Sequence, residues 1–462
     1  MPNNTIPSRG RFVNSGNGPA FQPIEIGHPR YVGLVDPDTA FWALVERGKL
    51  SGIMHDSELL KAYRKKRESF RKEMGRLRFG LKPSAVYFNI TERCNLNCRY
   101  CYIPERMRRK GRQMSEEAVI GALRSLKAYF KRSGGVSLPK IIFHGAEPLL
   151  NKKALVFAIE KFGGDFTFGI QTNTVLLDAE TVSFLKSNKV SIGISLDGPT
   201  AKTVDKTRMS WSGEGVFRRV MEAMELLRGY DAWSVIGTIT TENVRSLPRL
   251  VAFLHQNEVP TCLLNVVRCT LPSARKIKPA DALAARYFIE ALETSHRLYR
   301  KSGRKLVVAN FANILISVLA PTARRLMCDI SPCGGGRSFF ALAPNGDIFP
   351  CSEFIGLKHF KGGNIFKDDM ESILESGPFK LVTGRKAEDI EPCRRCAIRH
   401  FCGSPCPAEA YEMNGGMDKT GSFCEFYEEQ ARYALRLIAD GRHEAFLWDG
   451  WDKGAKEIFN FA

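Results

Sequence analysis

Four of the chain's thirteen cysteines stand within the fourteen residues 393–406, CRRCAIRHFCGSPC. Such crowding calls for something that holds the thiols: a disulfide knot, a zinc ion or an iron–sulfur cluster. The start, MPNNTIPSRGRF, has no apolar signal core, and the longest apolar run, FANILISVLA at 311–320, is too short to cross a bilayer. A cytoplasmic protein is expected, and cytosolic thiols are kept reduced. The cysteines group as Cys94, Cys98 and Cys101, then Cys328, Cys333 and Cys351, then Cys393, Cys396, Cys402, Cys406 and Cys424. Clusters in a reducing compartment argue for metal. Cys262 and Cys269 stand apart and read as small apolar filler.

The clusters sit in a chain of 462 residues, enough for two or three domains. Residues 1–20 are polar and rich in Gly, Asn and Pro, a loose arm. PIEI and RYVGLV suggest short strands, DPDTAFWALVERG a capped amphipathic helix, and residues 56–78 a long basic helix. From residue 85 apolar strands alternate with helical patterns: AVYFNIT, KIIFHG, FTFGIQT, VSIGISLDG, WSVIGTITT and TCLLNVV, the last followed by a helix near 280–301. Six strand–helix units predict an α/β fold with a parallel sheet, and a partly open (β/α)6 barrel rather than a full eight-unit one. After 327, Gly, Pro and Cys rise, and SFFALAPNGDIFPC reads as a hairpin about Pro344-Asn345-Gly346. Residues 425–446 return to an amphipathic helix. Four segments result: 1–84, an arm with a small appended unit; 85–305, the partial barrel; 306–430, a linker and cysteine-rich domain; 431–462, a C-terminal helix and tail.

The spacing of CNLNCRYC places Cys94, Cys98 and Cys101 in a loop after the first strand, where parallel barrels put active sites. Three thiolates hold three corners of a cubane and leave one iron open, whereas a structural zinc site wants four ligands. C-x3-C-x-aromatic-C, with Tyr100 as the aromatic residue, resembles the defining motif of the radical S-adenosylmethionine (SAM) family. HGAEP (144–148) resembles that family's GGEP motif with Ala146 for the second glycine, while QTN (171–173) and SLDGP (195–199) end the third and fourth strands. The resemblance covers about residues 85–300. It implies that Cys94, Cys98 and Cys101 hold a [4Fe-4S] cluster whose open iron chelates SAM, and that reductive cleavage gives a 5′-deoxyadenosyl radical. It further implies SAM contacts from Tyr100, Gly145, Glu147 and Ser195, with Asn173 and Arg208 as further candidates.

The later cysteines resemble the seven-cysteine SPASM domain: Cys333, Cys351, Cys393, Cys396, Cys402, Cys406 and Cys424. That resemblance implies two auxiliary [4Fe-4S] clusters, a near one on Cys333, Cys351 and Cys406 and a distal one on Cys393, Cys396, Cys402 and Cys424. Cys328 is the expected fourth ligand of the near cluster. SPASM enzymes mostly modify ribosomally made peptides or proteins. The resemblance therefore implies a peptide maturase that installs a cross-link in a precursor peptide, served by a flavodoxin- or ferredoxin-type electron donor. A sulfatase-maturating protein oxidase is the alternative. That branch has an aspartate base directly after the cysteine matching Cys351, whereas Ser352 stands here with Glu353 next, which counts against that reading; the catalytic residue is left open, with Glu353 a candidate. Residues 22–80 would grip a leader peptide or cover the barrel's open side. The formal charge of +19 suits an acidic partner. An RNA-modifying enzyme is a third reading, but no RNP motif or GXXG loop supports nucleic acid, and nothing points to a membrane.

Overall fold

The computed structural model describes residues 20–134, 138–402 and 406–454; the expected N-terminal arm falls almost wholly outside them. Three short strands, β1 (Gln22–Ile24), β2 (Tyr31–Val35) and β3 (Trp42–Glu46), form an antiparallel sheet. The helix expected over the DPDTAFWALVERG stretch is therefore corrected to a turn and a strand. Asp36 accepts from the Asp38 amide and the Thr39 hydroxyl, Ala40 takes φ +64°, and Trp42–Glu46 pairs back onto β2. An apolar run as short as FWALV fits a strand or a helix; the hairpin partner decides. The basic helix Ser57–Phe79 follows, its first turn capped by Asp56. This unit packs on the C-terminal part of the chain. Trp42 Nε1 donates to the Val318 carbonyl (2.9 Å), and a Cβ at Gly33 would lie 3.1 Å from Leu435.

The second sheet carries the barrel. Strands β4 (Ala85–Phe88), β5 (Lys140–Phe143), β6 (Thr167–Thr172), β7 (Ser191–Ser195), β8 (Trp233–Ile239) and β9 (Thr261–Val266) run parallel in sequence order. The crossover helices include Glu116–Ser133, Lys152–Phe162, Ala179–Ser187, Phe217–Leu227 and Leu247–Gln256. Their buried faces carry residues three and four apart, as in Val119, Ala122, Leu123 and Leu126. Ser115 caps the first of them by accepting from the Ala118 amide. A two-residue strand, β10 (Val307–Val308), extends the β9 edge.

The other edge is continued by the hairpin. β11 (Phe339–Leu342) pairs parallel with β4, and β12 (Asp347–Phe349) and β13 (Gly363–Asn364) follow antiparallel. The positive φ of the hairpin turn is supplied by Gly346 alone, at +85°. The cysteine-rich region thus shares the barrel's own ten-stranded sheet, which fixes its cysteines against the barrel mouth. The helix Cys424–Ala439 runs across residue 430. The helix Ala309–Leu319, which contains most of the apolar run at 311–320, is a buried core element. Among the described residues no helix is long and apolar enough to cross a membrane.

Candidate active site

The chain leaves β4 at Phe88 and turns over the barrel's carboxyl end, where the loop carrying Cys94, Cys98 and Cys101 is pinned on several sides. The Asn97 and Arg99 amides donate to the carbonyls of Met209 and Thr207 (2.8 and 2.9 Å). Trp211 Nε1 donates to the Cys94 carbonyl (2.8 Å), and Arg108 Nη1 donates to Asn97 Oδ1 (2.9 Å). The three thiols lie within electrostatic reach of one another. Burial pushes Cys94 up to about 12 and Cys101 up to about 11, and raises Cys98 as well. They are thus neutral thiols without metal, and metal binding would release their protons. Among the described residues no three His, Cys, Asp or Glu side chains are packed closely enough to bind a single ion.

The other motif residues form a hydrogen-bonded shell around this loop. Gly145 takes φ +112°, and a Cβ there would lie 2.5 Å from Asn89 Cγ, so only glycine fits. Glu147 is fully buried: Oε1 accepts from the Leu149 amide (3.0 Å) and the Thr172 hydroxyl (2.8 Å), and Oε2 from the Asn173 amide (2.8 Å). Burial raises its carboxyl and these hydrogen bonds oppose the rise. Asn173 Nδ2 donates to Asn95 Oδ1 (2.7 Å) and reaches Cys94 Sγ (3.6 Å). Ser195, at the end of β7, points its hydroxyl to the Thr172 carbonyl (3.5 Å).

Asp197, two residues on and not singled out from the sequence, organises the rest. Its Oδ2 accepts from Tyr100 Oη (2.6 Å), which in turn accepts from Arg208 Nη1 (2.6 Å), and its Oδ1 accepts from the Thr238 amide (2.8 Å). The cysteine loop, the end of β7 and residue 208 are thereby joined by one buried ionic chain. A buried carboxylate in the SLDGP motif was the available signal. Asn89 gave none, yet its Oδ1 is buried without a partner against Gly145, as is Arg208 Nε beside Tyr100. A positive-φ glycine cradle, an orphaned acceptor and an orphaned donor beside three thiols suit a ligand with both amino and carboxylate groups.

Between the barrel mouth and the cysteine-rich region lies a cavity of about 250 Å³. Strand-end side chains Tyr87, His144, Gln171, Ile236, Leu263 and Asn265 form one wall. Cys328, Cys333, Cys351 and Cys406 form the other, mutually close enough that each thiolate would raise its neighbours. Cys328 therefore stands with the three cysteines of the near set. Burial pushes Cys406 up to about 12 and raises Cys328, Cys333 and Cys351. Of the distal set, Cys393, Cys396 and Cys424 lie within reach of one another, while Cys402 opens on this cavity. Tyr102, next to Cys101, also lines the cavity and links the two regions.

Glu353 lies in the cavity wall with Oε2 unpartnered, its Oε1 3.7 Å from Arg268 Nε. Burial raises its carboxyl to about 7, opposed by the Arg268 charge. His144, in the same cavity lining, is driven down to about 4 by burial and is neutral at physiological pH.

A partial parallel barrel with a thiol triplet over its first strand, and a cysteine-rich extension of the same sheet, defines an iron–sulfur enzyme of the radical SAM class. Residues 88–254 match the family model of the Radical SAM superfamily, and residues 333–397 match SPASM, an iron–sulfur cluster-binding domain. The chain belongs to the Radical SAM superfamily and carries a SPASM domain, which implies SAM and iron–sulfur clusters as its cofactors. It is 40% identical over 418 residues to an uncharacterised protein of Archaeoglobus fulgidus, covering 90% of this chain and 94% of the relative. It is 21% identical over 364 residues to the cysteine-type anaerobic sulfatase-maturating enzyme of Clostridium perfringens, covering 75% and 94%. Among solved structures, anSMEcpe with bound AdoMet and Cp18Cys peptide aligns at TM-score 0.66 and 18% identity over 78% of this chain and 99% of that one. Streptococcus suis SuiB bound to precursor peptide SuiA aligns at 0.57 and 14% over 85% and 97%. Both share the fold.

Proposed function

We propose that this enzyme is a peptide maturase that removes hydrogen from a ribosomally made precursor and installs a cross-link, a thioether or a similar bond. The observation that carries this reading is the cavity itself: one wall is the carboxyl end of the barrel and the other is four cysteines. Two of the relatives reported above are solved with peptides bound. Cys94, Cys98 and Cys101 would hold the SAM-binding [4Fe-4S] cluster. Cys328, Cys333, Cys351 and Cys406 would hold a near auxiliary cluster, and Cys393, Cys396, Cys402 and Cys424 a distal one, three in all. When bound, these groups supply a 5′-deoxyadenosyl radical and take up the electron that product formation releases. The chain's own part is positional. Gly145 opens the cradle for the methionine end of SAM, and Glu147 and Asn173 brace it. Tyr100, Arg208 and Ser195 would hold the remainder of the cofactor. Glu353 would take the substrate's proton within the cavity. Electrons would come from a flavodoxin- or ferredoxin-type donor, and residues 22–80 would hold a leader or screen the site.

The test is anaerobic co-expression with short candidate precursors, read by mass spectrometry. A loss of two hydrogens per link is expected, absent when Cys94, Cys98 and Cys101 are replaced by alanine. A product that forms without those cysteines refutes the reading. One observation favours a second reading, a sulfatase-type protein oxidase. A carboxylate with an unpartnered oxygen, Glu353, lies in the cavity two residues after Cys351. That enzyme would oxidise a sulfatase-derived peptide and leave leader-bearing precursors untouched.

A further inference from the structure

Arginine is never deprotonated in a protein, so a buried guanidinium needs acceptors for its five N–H groups. Six arginines are buried among the described residues, and each donates at least one hydrogen bond. Arg78 donates to the Ser331 carbonyl, Arg108 to that of Ile103, Arg324 to that of His400 and Arg337 to that of Pro332. Arg208 donates to Tyr100, and Arg399 to Asp38. Arg268 differs. Its side chain, 28% exposed, lines the cavity two residues past β9, where water can reach it, and it has no hydrogen-bond acceptor among the described residues.

Electrostatically it faces Cys406 and Tyr427 as well as two carboxylates, but it hydrogen-bonds to none of them. Its nearest carboxylate, Glu353, stands at 3.7 Å, beyond hydrogen-bonding distance. Glu409 is within electrostatic reach, but its oxygens are taken by the Cys269 and Ser422 amides (2.7 and 3.3 Å). Asn265, an exposed residue of β9, lines the same cavity, its carboxamide also without a partner among the described residues. A cation without a hydrogen-bond acceptor, lining one cavity with an unpartnered amide, matches one ligand group closely: a carboxylate.

We propose that Arg268 anchors a carboxylate of the substrate, either an acidic side chain or a C-terminus, and so selects which residue is presented to the reacting centre. The proposal rests on the reading that this cavity receives a peptide. Asn265 accepts from or donates to the adjoining peptide group. The free carboxylate exchanges water for Arg268. A chain of net charge +19 would already favour an acidic peptide at long range; Arg268 converts that attraction into a choice of residue.

The experiment uses the anaerobically reconstituted enzyme loaded with SAM, and isothermal calorimetry with four probes. N-acetylglutamate N-methylamide is set against its glutamine counterpart, and N-acetylalanine against N-acetylalaninamide. At least one acid is expected to bind about tenfold or more tightly than its amide, the worth of a charge-assisted hydrogen bond. The acid that wins tells whether a side chain or a C-terminus is held. Arg268→Gln is expected to abolish the preference. Arg268→Lys, which keeps the charge but loses the fork, is expected to weaken it several-fold, and serves as the comparison if Arg268→Gln loses its iron. Equal binding of acids and amides, absence of binding by either acid, or a preference unchanged in both variants overturns the proposal. So does an Arg268→Gln variant that alters only a cluster's midpoint potential, which makes the arginine a counter-charge. If an acid is preferred through Arg268 yet co-expression yields no modified peptide, the maturase reading fails and the anchor stands.

Discussion

Replacing Asp197 by alanine tests whether the buried chain Tyr100–Asp197–Arg208 holds the cysteine loop. The change strips the acceptor from Tyr100 Oη and from the Thr238 amide, and leaves Arg208, whose side chain is 5% exposed, without its carboxylate at 4.0 Å. An uncompensated buried charge costs about 3–5 kcal/mol. The two orphaned donors cost about 1–3 kcal/mol each in isolation, but they overlap with the first term because Tyr100 still accepts from Arg208. A loss of about 4 kcal/mol is therefore expected. Arg208→Met alone leaves Asp197 charged but still holding its two donors, a loss of about 2–3 kcal/mol. Combining the two removes charge and counter-charge together, so the double variant is expected to recover about 2 kcal/mol relative to the sum. The assay is urea unfolding of the cluster-free, reduced chain, compared by midpoint at equal slope. Hydrogen exchange at the Thr238 amide is the local control. Losses additive to within about 0.5 kcal/mol refute the coupling. So does a single Asp197→Ala loss below about 1 kcal/mol.

Gly145→Ala forces a Cβ to 2.5 Å from Asn89 and fixes a residue at φ +112°; a destabilisation of about 2–5 kcal/mol is expected, with SAM affinity measured by equilibrium dialysis falling in step. His144 gives a pH signature. Its pKa is lowered to about 4 in the fold, so the unfolded chain binds the proton first. Stability is full above the ordinary value of about 6.5 and is lost as pH falls towards 4, by at most about 3 kcal/mol. His144→Gln is expected to flatten that acid limb in denaturation curves between those pH values, and an unchanged limb argues that His144 is not buried neutral. Cys328→Ala is expected to leave reconstituted protein with an altered near cluster, seen as a changed electron paramagnetic resonance signal. A spectrum identical to wild type excludes Cys328 as a ligand.

Much of the barrel was readable in the sequence because each strand is a short β-rich run closed by a motif at its carboxyl end, and each helix carries apolar residues at helical spacing. The thiol triplet was readable for the same reason, since its ligands are local in sequence. What was not readable depends on partners far away in the chain. Trp42–Glu46 became a strand because β2 was there to pair with it. The parallel pairing of β11 on β4 joins residues some 250 positions apart, and it helps bring the SPASM cysteines to the barrel mouth. Asp197 stood inside SLDGP, but only its buried partners Tyr100 and Arg208 show what it does there; Arg268 carries no motif, and only its place in the cavity without an acceptor marks it. Asn89 is visible only because Gly145 leaves room for it.

The central claim is that eleven of the thirteen cysteines serve three clusters, one of which cleaves SAM. Anaerobic reconstitution followed by iron analysis and reduction in the presence of SAM tests it most directly. About twelve irons per chain are expected, with 5′-deoxyadenosine released. Replacing Cys94, Cys98 and Cys101 by alanine is expected to leave about eight irons and no 5′-deoxyadenosine. About four irons in the unaltered enzyme, or 5′-deoxyadenosine from the triple variant, contradicts the account.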